Sequence, residues 1–331
     1  MLALLMAASS ASADPLSQWH SLIDAGYARL ASETGNLENK AKSYCESPAQ
    51  ETRSQLSAQW RTAFEAWQAV RFVDFGPVEQ NNLAWQFQFW PDPKNLVARK
   101  AGQLLKSPAA DISMAQRVSD GGVAVQGFPV VEYLLFDDRL NESAQALPAE
   151  PACLLLQAVS THLHTNTMNL HRQWQTFRPH YLNRDSYRST SMKAAMTALE
   201  ILVERRLAEP MGLRGNGKRS IYPADAWRSG HSLAAIRASV KGLHHYFLPG
   251  FTLWMDETNE QALAQRIEDQ WSEVVTRLDE LPDAMAPLLR DESFSRLQGL
   301  HVSLSQLQQL LNDQAATSLG VIRGFNSSDG D

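Results

Sequence analysis

Apolar residues recur along this chain at three- and four-residue steps, the signature of helices that bury one face. Leu16, Trp19, Ile23, Tyr27 and Leu30 draw such a stripe through residues 16–44. Leu56, Trp60, Ala63, Phe64, Trp67 and Val70 draw a second through 51–73, with neither proline nor glycine inside it. The same pattern predicts helices at about 151–178, 186–209, 231–247, 258–280 and 292–318. Strict alternation, the strand signal, occurs in Trp85-Gln86-Phe87-Gln88-Phe89, where a short extended piece is predicted before Trp90-Pro91-Asp92-Pro93. The predicted fold class is all-α. Prolines and charges cluster in LFDDRLNESAQALPAEP (135–151), with enough helix on each side for a bundle. Two helical bundles, over residues 14–145 and 146–331, are therefore expected.

Charge and composition narrow the partners. The net charge is −6, with acids and bases mixed along the chain. No basic stripe, zinc-finger spacing or RNA-binding signature occurs, which argues against nucleic acid. No later run approaches the ~20 apolar residues of a membrane span, so no transmembrane helix is expected. The N-terminus, MLALLMAASSASAD, is a short apolar run ending in Ala11-Ser12-Ala13, the small-residue pattern of a signal-peptide cleavage site. Residues 1–13 read as a signal peptide that lacks its positive start, as the tail of a longer signal would. No cysteine follows that run, so a lipid anchor is not expected there; an anchor further upstream stays open. In an exported protein the two cysteines, Cys45 and Cys153, are expected to form one disulfide.

Several tempting motifs carry little chemistry. None of the nine histidines is followed by glutamate, so the H-E-x-x-H zinc-peptidase motif is absent. His164 and His171 share a helical face with Met168 between them, a set that could suit a soft metal, with His162 on the same helix. Partly exposed histidines are the plainer reading. His244 and His245 are adjacent and diverge around a helix, so they do not clamp one ion. In GLRGNGKRS (212–220), Arg219 stands where a phosphate-binding loop needs Ser or Thr, and the segment follows a helix, so it reads as a basic surface loop. The tail GFNSSDGD (324–331) offers oxygen ligands, but the chain ends before a calcium loop could be completed.

GFPVVEYLLF (127–136) is different. Pro129 suits the start of a helix, and Glu132 then lies in the first turn, where the helix dipole favours negative charge. The helix is apolar on most sides and therefore buried, so Glu132 is expected to face an internal polar pocket or a seam between helices. A buried carboxylate needs a partner. Arg71, in RFVDFGP, and Arg228, in AWRSGHS, are the candidates.

Five segments together resemble the imelysin-like proteins, peptidase family M75, in the branch of periplasmic lipoproteins. They are AFEAWQAVRFVDFGPVE (63–79), QFQFWPDPKN (86–95), GFPVVEYLLF (127–136), AWRSGHSLAAIRASVKGL (226–243) and LGVIRGFNSSDGD (319–331). The resemblance implies two helical bundles related by a pseudo-twofold, with the functional site at their interface. It also implies a periplasmic location, often in an iron-uptake setting. Many members carry G-x-H-x-x-E with the histidine and glutamate as metal ligands. Here Gly127 and Glu132 match, but Pro129 occupies the histidine position and offers no ligand atom. Glu132, Arg71, Trp90, Trp227, Arg228, Ser229 and the tail residues Asn326, Asp329 and Asp331 are the site candidates, with Glu132 also the metal candidate. The expected function is a non-enzymatic binding protein for a small ligand or metal ion, iron or another divalent metal. It would work beside other iron-uptake proteins of the envelope. An M75-type metallopeptidase and an envelope interaction scaffold are the alternatives.

Overall fold

The computed structural model describes residues 14–106 and 112–322. Residues 1–13, read from the sequence as a signal peptide, and the tail beyond residue 322 lie outside them. The helices are α1 (Pro15–Glu46), α2 (Gln50–Val70), α3 (Leu83–Phe87), α4 (Leu96–Lys106), α5 (Met114–Asp120), α6 (Gly127–Phe136) and α7 (Asp138–Asn141). They continue as α8 (Glu150–Leu182), α9 (Ser186–Glu200), α10 (Ser232–Tyr246), α11 (Leu248–Glu257), α12 (Gln261–Asp279), α13 (Phe294–Gln309) and α14 (Ala316–Ser318). Between α9 and α10 the helix widens into a π-helical segment, Ile201–Ala208, and a second one, Leu310–Ala315, follows α13. No strand occurs among the described residues, and the chain is all-α.

The predicted apolar stripes are the buried ones. Leu16, Trp19, Ile23, Tyr27 and Leu30 of α1 are nearly inaccessible, as are Leu56, Trp60, Phe64 and Trp67 of α2. Helix α1 starts where Asp14 accepts a hydrogen bond from the Ser17 N–H at 2.9 Å, with Pro15 in the first turn. The extended piece expected at 85–89 is a correction. Helix α3 takes residues 83–87, and only Gln88 onward is extended. Each residue before a proline is pushed out of the helical region, so Trp90 and Asp92 keep the chain open ahead of Pro91 and Pro93.

Long helix α8 lies along α1. Thr34 and Thr167 share a buried hydrogen bond at 2.6 Å, and the Trp174 indole donates to the His20 carbonyl at 3.1 Å. The other half is built on α10, whose Val240 carbonyl accepts from the fully buried Trp271 of α12 at 3.1 Å. The two sets of helices meet where α2 crosses α10. Gly242 makes that crossing close: a Cβ there would sit 2.1 Å from the Ala69 carbonyl oxygen. Among the described residues no helix is long and apolar enough to cross a membrane.

Cys45 and Cys153 form the expected disulfide, joining the end of α1 to the start of α8 with Cα atoms 5.7 Å apart. The bond spans 108 residues, and cross-linking a loop of that order lowers unfolded-chain entropy by an equivalent of about 4–5 kcal/mol in the loop-closure treatment. The double variant Cys45→Ser/Cys153→Ser is expected to be about 2–5 kcal/mol less stable than the oxidised protein in urea unfolding. Equal stability would show that α1 and α8 need no covalent tie.

Candidate functional site

Glu132 is 4% exposed, and it lies where the two sets of helices approach each other. The start of α6 is fixed by a glycine. Gly127 has φ +73°, and a Cβ there would stand 2.2 Å from the Phe87 carbonyl oxygen, so no larger residue fits. The buried Trp60 of α2 donates its indole N–H to the Phe128 carbonyl at 3.1 Å and pins the first turn. Pro129 sits in that turn, where a helix has no acceptor for its N–H.

The partner of Glu132 is not an arginine, as expected, but Ser229. The Ser229 backbone N–H donates to Oε1 of Glu132 at 2.9 Å, and its hydroxyl lies 2.9 Å from the same oxygen. That hydroxyl is also 3.0 Å from the Ala226 carbonyl, so its single proton serves one acceptor at a time. Ala226 holds a left-handed φ of +50°, a strained conformation for a residue with a Cβ. The Ala226 carbonyl accepts from the His231 N–H at 3.0 Å, which closes the turn that aims Ser229 at α6. No hydrogen bond among the described residues reaches the second oxygen, Oε2. Burial raises the Glu132 carboxyl above its ordinary range, and Asp225 adds to the rise; Ser229 and the nearby Arg228 oppose it.

The arginines serve other carboxylates. Arg228 donates to Asp137 at 2.9 Å and to Asn95 at 2.6 Å, and its guanidinium lies 4.3 Å from the Trp227 ring. Its charge reaches Glu132 through space. Arg71 belongs to a deeper cluster behind the site. Arg206 and Asp225, both almost wholly buried, are bonded at 2.5 Å, and Arg71 lies 3.9 Å from the same Asp225 oxygen. Arg206 also bonds Gln68, and donates to Ser239 at 2.8 Å. The Gln88 carbonyl oxygen accepts from Trp67, Gln68 and Arg71 at 2.7–3.0 Å. The Trp90 ring lies 5.3 Å from the Arg71 guanidinium and 5.7 Å from that of Arg206. Burial and the neighbouring Arg206 push Arg71 down to about 9, against the pull of Asp225. Arg206, Asp225 and Gln88 escaped the sequence reading; the one signal was Arg206, a cation amid the apolar ILVERRLA.

Glu132, Pro129, Trp90, Asp225, Trp227 and Arg228 line a cavity of about 50 Å³, room for a few waters or one ion. Five predicted site residues therefore converge here, counting Ser229, which holds Glu132 from behind. Arg71 is not among the lining residues and packs against Trp90 and Gln88, and Asn326, Asp329 and Asp331 lie outside the described residues. The histidines of α8 are elsewhere: His164 pairs with Glu38 at 2.6 Å and His171 with Asp24 at 3.2 Å. GLRGNGKRS is a loop, as read from the sequence.

The donor set does not suit a resident metal ion. Both Asp92 oxygens accept N–H bonds at the start of α4, at 2.7 and 2.9 Å. The Asn95 and Gln88 oxygens are held by Arg228 and by the α2 donors. Glu132 Oε2 and Asp225 Oδ1 are the two carboxylate oxygens of this set that no hydrogen bond among the described residues reaches. Among the described residues no group of three or more His, Cys, Asp and Glu is placed to hold a metal.

An all-helical chain with a buried glutamate in a seam between two helix sets defines a class of fold shared with known proteins. The sequence pattern of Imelysin, peptidase family M75, matches residues 23–312, and the chain belongs to that family. An imelysin-like protein from Psychrobacter arcticum 273-4 has the same fold, with a TM-score of 0.82 and 21% identity over 98% of this chain and 100% of that one. A protein from Parabacteroides distasonis ATCC 8503, assigned by inference as an iron-regulated protein A precursor, superposes with a TM-score of 0.70. It is 13% identical over 96% of this chain and 98% of its own. No match was found among curated proteins.

Two outcomes follow from the charges. The folded state holds the Glu132 proton more tightly than the unfolded chain does. The stabilisation it contributes is therefore complete below the ordinary value of 4.5 and is lost as pH rises through the folded value. The Tm difference between Glu132→Gln and wild type is expected to grow in favour of the variant from pH 4 to pH 8; a pH-independent difference would contradict this. Asp225→Asn leaves two buried guanidiniums facing each other and is expected to cost about 3–5 kcal/mol in urea unfolding. Arg206→Met, which leaves Asp225 beside Arg71, is expected to cost less.

Proposed function

We propose that this chain is an exported, non-enzymatic binding protein that acts in the acquisition of iron or another metal, with the Glu132 cavity as its binding site. Glu132 carries the reading. Its carboxylate is buried against its own ionisation, yet one oxygen is left without a partner at the wall of a cavity, which is an arrangement suited to a ligand rather than to stability. Trp90, Trp227 and Arg228 complete the cavity wall, and Ser229 orients the carboxylate. Export to the periplasm is supported by the disulfide and by the leader-like run at residues 1–13. Relatedness in fold to a protein named as iron-regulated supports the metal setting. The metal is cargo here, and other iron-uptake proteins of the envelope would be the partners that deliver or receive it.

Calorimetric titration of the full chain, stripped with a chelator, tests the proposal. Zn(II) and Cu(II) are supplied as ions, and Fe(III) as its citrate complex to keep it in solution. The Fe(III) citrate complex is expected to bind tighter than about 100 µM, and about tenfold or more weaker in Glu132→Gln, with the bare ions binding more weakly than the complex. No binding at that level, or equal binding by the variant, would remove the metal role.

A further inference from the structure

A groove of about 1300 Å³ adjoins the Glu132 cavity and shares Asp92, Asn95, Tyr222, Trp227 and Arg228 with it. Its lining holds six arginines and lysines against four carboxylates, on a chain whose net charge is −6. Three of these cations, Arg99 of α4, Arg139 of α7 and Lys218 of the 212–220 loop, are exposed. None of the three side chains has an ion-pair or hydrogen-bond partner among the described residues. The facing acids are partly committed: Asp137 holds Arg228, and Asp92 caps α4. Asp138 and Glu209 are the other two. Flat apolar surfaces accompany the charge. Tyr222 is 71% exposed and stands edge-on to Trp227 at 5.0 Å, while Phe136 and Tyr133 form part of the opposite wall.

We infer that this groove binds a multivalent organic anion with a flat apolar body, the chemical class to which anionic metal chelates belong. The inference rests on the Glu132 cavity being a binding site and names the class of ligand it takes. A bare cation is disfavoured beside unpaired guanidinium and ammonium groups, whereas a multivalent anion is drawn in by them. The exposed Tyr222 ring beside the half-buried Trp227, on which Arg228 stacks, favours a planar body over a compact inorganic ion. The unbonded oxygens of Glu132 and Asp225 are too small a donor set to cage a metal, and a metal that arrives within an anionic chelate brings its other ligands along.

Metal-free probes separate this inference from the metal reading. Benzene-1,2,4,5-tetracarboxylate, citrate and pyrophosphate are titrated calorimetrically into the full chain at low and high salt. The aromatic tetracarboxylate is expected to bind tightest and to weaken with salt. Its affinity is expected to fall about tenfold or more in Arg99→Gln/Arg139→Gln/Lys218→Gln, whose three positions are exposed and whose Tm should stay near wild type. Tyr222→Ala is expected to weaken the aromatic probe more than citrate. Absence of tetracarboxylate binding, equal affinity in the triple variant, or tighter binding of pyrophosphate would overturn the inference. Loss of metal binding in Glu132→Gln with anion binding retained would leave it standing.

Discussion

One carboxylate, Asp225, lies between the buried guanidinium of Arg206 and the half-buried one of Arg71, and the seam between the helix sets depends on it. Arg206 comes from the π-helical segment Ile201–Ala208, Arg71 from the end of α2, and Asp225 from the loop that joins the π-segment to α10. Each charge would be costly to bury alone, so the three are stable only together. Gln68, Gln88 and Ser239 take up the remaining donors and draw in α2, the 88–90 stretch and α10. The junction thus fixes the loop that carries Trp227, Arg228 and Ser229. Glu132 is then met by a serine already held in place. One atom remains unsatisfied: Nε of Arg206 is buried without a partner, so the π-segment delivers the guanidinium at some cost.

The same region concentrates the other departures from unstrained geometry. Ala226 is left-handed, Gly127 is confined by the Phe87 carbonyl, and eight residues of π-helix precede the loop. π-Helical turns and strained φ values recur at functional sites, where surrounding structure over-determines them. Glu132 itself is a liability to folding when ionised, since burial outweighs the help of Ser229 and Arg228. A helix so apolar would be more stable with a neutral side chain there. A carboxylate kept under those conditions is consistent with a group retained for what it binds.

Helix existence was legible because it depends on local periodicity. The stripes of α1, α2, α8, α10, α12 and α13 were read within a few residues, and four of the five segments that carry the family resemblance lie within the matched residues 23–312. Trp85–Phe89 misled because alternation over five residues is too short to outweigh a helical turn, and only the prolines after it enforce extension. In the site, the isolation of Glu132 in an apolar run marked it from sequence alone. Its partner was not legible, because pairing depends on a tertiary contact 97 residues away. Sequence favours the strongest charge as partner; the fold supplied a backbone N–H and a hydroxyl, while Arg228 was taken by Asp137. Asp225 and Gln88 were not marked because one sits in an aperiodic loop segment, YPADAW, and the other at a polar position of an alternating run.

Charge is layered from the core outward, and on the proposed reading of the site the layers set what it would select. Deepest is the junction of two arginines and one aspartate, which carries an excess of positive charge when all three are ionised. Next is Glu132 at the cavity wall, held by Ser229 through one oxygen and with the other unbonded, and with Arg228 close enough to lower its proton affinity but bonded elsewhere. Outermost is the cationic rim of Arg99, Arg139 and Lys218. A ligand that spans the rim and the cavity must present negative charge to the first and a cation or a proton donor to the second. A bare metal ion satisfies only the inner layer, and a simple anion only the outer. A body that is anionic at its periphery and cationic at its centre satisfies both, because attraction at each layer is then met without leaving either charge desolvated and unpaired.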